Sequence, residues 1–117
     1  MQRIDKVNEM MRREIGTMMQ KDFQDPRLAF VSITAVNVSR DLRHARVNFS
    51  YPGDSRVISD IEKTLRRIRG YVRKLVGERI HMRYTPEIEF FYDRSIQDNA
   101  RIAEILEDIK KEKPGSL

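Results

Sequence analysis

Residues 65–79 read LRRIRGYVRKLVGER, and the period of this stretch decides the fold. Leu65, Ile68, Val72 and Leu75 recur at steps of three and four, as one buried face of an α-helix requires. The stripe extends back through Ile61 and Ile58. Ser59 and Glu62 have capping-box spacing, so the helix is predicted to begin at Ser59, with Asp54 or Ser55 as caps for an earlier start. Gly70 lies in the interior, where a glycine costs about 1 kcal/mol relative to alanine.

Working outward, the flanking segments have strand character. Leu28–Ser39, LAFVSITAVNVS, carries no charge and is rich in β-branched residues. Val31, Ile33 and Ala35 alternate there, and Val36 and Val38 then take the opposite phase, which predicts a bulge near Ala35. After the polar turn RDLRH, Ala45, Val47, Phe49 and Tyr51 alternate with Arg46, Asn48 and Ser50, completing a hairpin. Downstream of the long helix, YTPEIEFFYD reads as a third strand, with Ile88, Phe90 and Tyr92 on one face and Pro86 near its beginning.

The two ends of the chain are helical in pattern. Ile4, Val7, Met11, Ile15 and Met18 form one apolar stripe, widened by Met10 and Met19, that stops near Pro26. These methionines are read as core filling. SIQDNARIAEILEDIKK places Ile102, Ile105, Leu106 and Ile109 together, with Asp93, Ser95 and Asn99 as caps. The order helix, strand, strand, long helix, strand, helix implies an α+β two-layer sandwich, its three-stranded sheet covered by helices on one face. One domain over residues 1–112 and a disordered tail over 113–117 are expected.

Charge is concentrated in the long helix. The chain has 117 residues and a net charge of +5. Ser59–Arg83 holds eight Lys/Arg and three Asp/Glu, while the other 15 basic and 15 acidic residues cancel. At about 100° per residue, Lys63, Arg66, Arg67, Arg73 and Lys74 gather opposite the apolar stripe, with Gly70 and Gly77 among them. Such a field suits a polyanion, and the arginine fork suits bidentate phosphate contacts. Lys63, Arg66, Arg67, Arg69, Gly70, Arg73 and Lys74 are the candidate nucleic-acid-binding residues. Gly70 has two candidate roles: it permits a kink over the sheet, or it leaves a bare spot where a phosphate backbone approaches.

Other chemistries find little support. Cysteine is absent, which removes disulfides and thiolate metal sites and fits a reducing, cytoplasmic compartment. No apolar run has the length of a membrane span, and no secretory signal is legible. His44 and His81 have no metal-ligand spacing, and no glycine-rich phosphate loop follows a strand. No enzyme, cofactor or small-molecule substrate is expected. The rival binding function is a sequence-specific DNA-binding domain, but the basic face offers no Asn or Gln to read adenine.

The element order is that of a type II KH domain, although the chain has no G-x-x-G clamp. RYTPEIEFFYDRS, residues 83–95, and DPRLAFVSITAVNVSRDLRHARVNFS, residues 25–50, resemble the ribosome-binding factor A family. The similarity spans about Arg3 to Asp108. That family carries an Ala-x-Gly kink in place of the KH clamp, and Ile68-Arg69-Gly70 aligns with it, keeping the glycine but not the alanine. The resemblance implies a kinked long helix and a non-catalytic, cytoplasmic assembly factor. It also implies binding to the free 30S subunit and its 16S rRNA, with assistance to late maturation and rRNA processing. A monomer is expected.

Overall fold

A computed structural model describes residues 3–94. The expected helix over SIQDNARIAEILEDIKK, its caps at Ser95 and Asn99, and the tail over 113–117 lie outside the described residues. Helix α1 spans Arg3–Lys21, strands β1 and β2 span Ser32–Val38 and His44–Ser50, helix α2 spans Ser55–Arg79, and strand β3 spans Glu87–Tyr92. The strands form one sheet in the order β1-β2-β3. β1 and β2 are antiparallel, as a hairpin requires. β2 and β3 are parallel, because α2 carries the chain back between them.

Alternation along the strands selects the covered face. Ile33, Val36 and Val38 of β1, Ala45, Val47 and Phe49 of β2, and Ile88 of β3 are buried beneath the helices. Met11, Ile15, Met18 and Met19 of α1 and Ile61, Leu65, Val72 and Val76 of α2 close the same core. The methionines are therefore core residues, save Met10, which is half exposed. α1 packs on β1 and α2 on β3, so the seam beside β3 is where α2 meets the sheet. The opposite face carries His44, Arg46, Glu87 and Glu89, all exposed. Arg46 lies over the Phe91 ring there, 4.0 Å from its centroid.

One local expectation is corrected and two are made specific. Leu28–Phe30 do not extend β1: Pro26–Phe30 form a short 3-10 helix. Asp25 caps it by accepting from the Arg27 N–H at 3.0 Å, with Pro26 supplying a pre-set φ in the first turn. The bulge in β1 falls between Ile33, opposite Phe49, and Ala35, opposite Asn48, so Thr34 is the extra residue. α2 starts at Ser55 with Asp54 as its cap, accepting from the Val57 N–H at 3.0 Å, and Ser59 lies inside the helix. Asp54 wins because it belongs to the breaker PGDS itself, so the chain enters the helix as soon as the turn is complete.

Candidate nucleic-acid interface

α2 divides its surface by position. Ile58, Ile61, Leu65, Val72, Leu75 and Val76 are buried, and Ile68 is half-buried against the same core. Lys63, Arg66, Arg67, Arg69, Gly70, Arg73 and Lys74 are all exposed, so the structure brings every candidate residue to the solvent side of one helix. Six guanidinium and ammonium groups thus line about three turns, on a helix whose other face is sealed.

These cations differ in what they touch. Arg73 donates to the Thr85 carbonyl from both Nε, at 3.2 Å, and Nη2, at 3.0 Å. It therefore ties the α2–β3 loop to the helix as well as adding charge. Arg69 lies 4.0 Å from the Glu89 carboxylate, an exposed pair that solvent screens. Lys63, Arg66 and Arg67 share a groove with Arg27.

Arg27 is a cation that the helical pattern does not reveal. Its Nη2 donates to Asp25 at 2.7 Å and to Thr64 Oγ1 of α2 at 3.1 Å, so the Asp-Pro-Arg turn is fastened beside the basic face. The Arg27 guanidinium hydrogen-bonded to Asp25 holds that carboxyl below its ordinary range, so Asp25 stays ionised. The signal in the sequence was Asp25-Pro26-Arg27 itself, but nothing there says which helix, 37 residues on, receives the arginine.

Arg79 belongs to the basic segment by sequence and leaves the basic face in space. Its guanidinium donates to Asp22 at 2.7 and 2.9 Å and to Glu14 at 3.4 Å, clasping the end of α2 to α1. At 100° per residue it sits over the apolar stripe, two turns beyond Val72, and so points at the neighbouring helix.

The two glycines also separate. α2 remains α-helical through Gly70. A Cβ added there would meet nothing within 4 Å, which leaves an open spot in a groove between Arg69 and Arg73 on one side and β3 on the other. The close approach within the protein is instead at Gly77, where a Cβ would lie 2.7 Å from Thr85 Oγ1.

His44 Nδ1 lies 3.8 Å from Glu87 on the exposed face, and Asp93 accepts from Thr34 Oγ1 at 2.6 Å. No group of three His, Cys, Asp or Glu among the described residues could hold a metal ion. No helix among them is long and apolar enough to cross a membrane.

The model of one family, ribosome-binding factor A, matches residues 3–106. The chain belongs to the ribosome-binding factor A family. The ribosome-binding factor A of Halothermothrix orenii is 43% identical over 111 residues, 95% of this chain and 91% of the relative. That of Acetivibrio thermocellus is 38% identical over 117 residues, 99% of this chain and 95% of the relative. Among solved structures, the crystal structure of ribosome-binding factor A from Thermus thermophilus superposes with a TM-score of 0.68 at 21% identity, covering 76% of this chain and 94% of that one. A Thermotoga maritima protein described as a putative ribosome binding factor A, solved by NMR, gives a TM-score of 0.60 at 28% identity, covering 73% and 85%. A third similar structure is a homology model of the Thermus thermophilus factor fitted into the cryo-EM map of a 30S complex, with a TM-score of 0.62 at 23% identity, covering 74% and 91%. The ribosome-binding factor A fold is therefore the frame on which this chain's basic face is mounted.

Proposed function

We propose that this protein binds the free 30S ribosomal subunit and assists its late maturation and 16S rRNA processing, with the basic face of α2 as its rRNA contact. The observation that carries this reading is the division of α2: Lys63, Arg66, Arg67, Arg69, Arg73 and Lys74 are exposed on a helix whose opposite side is core. Phosphate contacts of that kind fix a protein on a structured RNA without reading its sequence. Gly70 leaves a gap among the cations where a phosphate can come close to the helix backbone. Family membership supports the ribosome as the place of action, and the 30S complex of the Thermus thermophilus factor supports the small subunit. The protein acts as a monomeric, cytoplasmic binding factor without cofactor or catalytic step.

Co-sedimentation tests this. The purified protein should travel with free small subunits and much less with large subunits or assembled ribosomes, and structured rRNA should compete better than duplex DNA. Preference for one DNA sequence would favour the DNA-binding alternative, and metal-dependent cleavage of precursor rRNA by the protein alone would favour an enzyme.

A further inference from the structure

On the reading that this protein grips rRNA, we propose that Tyr84 is a stacking platform for one unpaired rRNA base, at the end of a groove between the β1–β2 turn and the α2–β3 loop. Tyr84 is 66% exposed, the most open of the large apolar side chains among the described residues. An aromatic ring left in water on a loose loop would mean little, but this ring is on a braced one. Arg73 holds the next carbonyl, that of Thr85, by two hydrogen bonds. Gly77 lets Thr85 sit against the helix. Pro86 is buried, and the Glu87 N–H donates to the Arg43 carbonyl at 2.8 Å. The chain that follows the ring is thus fixed to α2 and to the β1–β2 turn, so little order remains to be imposed on binding.

The surroundings suit a nucleotide. The Arg83 guanidinium lies 5.7 Å from the Tyr84 ring centroid, a cation beside an aromatic face. Leu42, Arg43 and His44 line the same groove. Leu42 turns this wall in the left-handed region, at φ 62°. The groove also holds two carboxylates: Asp41, which accepts from Ser39 Oγ at 2.6 Å and from the Arg43 N–H at 3.1 Å, and Glu87, which lies 3.8 Å from His44 Nδ1. Arg73 lines both this groove and the one at Gly70, so a strand leaving the basic face is delivered to Tyr84. Bases of a duplex are already stacked on each other, whereas a splayed base stacks on an open ring. That continuity with the arginines favours RNA over a protein partner.

The test measures binding of the full chain to free small subunits across a salt series, with Tyr84→Ala and Tyr84→Phe, together with ultraviolet crosslinking. Alanine should lose roughly 5- to 150-fold in affinity, the range expected for one base–aromatic stack. The salt slope should be unchanged, because no phosphate contact is lost. Phenylalanine should bind like the parent, both variants should keep the parent's denaturation midpoint, and the Tyr84 crosslink should map to an unpaired nucleotide. Parent-like binding by Tyr84→Ala, an equal loss in Tyr84→Phe, or a crosslink to a ribosomal protein would overturn the proposal. These outcomes leave the basic-face reading standing, since that reading is tested by variants of α2 that change the salt slope.

Discussion

Gly70 and Gly77 lie two turns apart on α2, yet a methyl group would meet different surroundings at each. At Gly70 it meets nothing within 4 Å, so Gly70→Ala should stabilise the protein by about 1 kcal/mol through helix propensity and the reduced freedom of the unfolded chain. If a phosphate occupies the open spot, the same variant should bind small subunits more weakly although it is more stable. At Gly77 the methyl meets Thr85 Oγ1 at 2.7 Å, and the Thr85 carbonyl is anchored by Arg73, so the residue has little room to retreat. Gly77→Ala should therefore fail to stabilise and should cost about 1 kcal/mol, as overpacking does at its lower end. Placed in a Thr85→Ala background, that cost should disappear. Urea midpoints of the parent, the three single variants and the Gly77→Ala/Thr85→Ala double check the order, and equal stabilisation by alanine at both glycines would contradict it. At this scale the sequence showed that two glycines fall on the basic face. Which of them touches the protein depends on a loop that helical periodicity does not place.

The strands and helices were legible because their patterns are long. The alternation of Ala45, Val47 and Phe49 and the three-four stripe of α2 each hold over several repeats, and the core follows them. What was not legible is what tertiary contact decides. Leu28–Phe30 have strand-like apolarity but follow Asp25-Pro26, whose turn chemistry makes a 3-10 helix. Arg79 and Arg27 are placed by partners distant in sequence, Glu14 on α1 with Asp22 just beyond it, and Thr64 on α2. The register of the sheet makes a prediction. Phe49 is wholly buried, Phe90 is half-buried against the core, and Phe91 lies on the other face beneath Arg46. Phe49→Ala should cost about 3–5 kcal/mol. Phe90→Ala should cost less and Phe91→Ala least, measured by denaturant midpoints. A reversed order of Phe90 and Phe91 would place β3 one residue out of register. α1 supplies a pH dependence. Hydrogen bonds from Arg12, and then from Arg13, hold the Glu9 carboxyl down from 4.5 to about 2. Asp22, hydrogen-bonded by Arg79, is shifted the same way. A carboxyl lowered in the folded state contributes stability above its unfolded value and loses it as the unfolded chain takes up the proton first. The melting temperature should therefore fall as pH drops from about 4.5 towards 2, and Glu9→Gln should flatten part of that fall. An unchanged profile in Glu9→Gln would show that the carboxylate is not held by these arginines in solution.

Taken together, the described residues present one covered sheet face, one basic helix face and a seam between α2 and β3 where grooves lined by arginines and glutamates meet. The net charge of +5 is concentrated, since the charge outside Ser59–Arg83 sums to zero. The central claim is that this placement, rather than total charge, holds the protein on the small subunit. Lys63, Arg66, Arg67 and Lys74 are exposed, and none of them ties the loop as Arg73 does, so changing all four to Gln should leave stability near that of the parent. Arg3, Lys6, Arg13 and Lys21, exposed along α1, provide a control with the same loss of charge. The deciding measurement is the slope of log K against log salt for binding to free small subunits. Each phosphate contact contributes roughly 0.7 to 0.9 to its magnitude, so the α2 variant should lower it by about 2.8 to 3.6 and the α1 control should leave it nearly unchanged. An unchanged slope in the α2 variant, or an equal fall in the α1 control, would contradict the account.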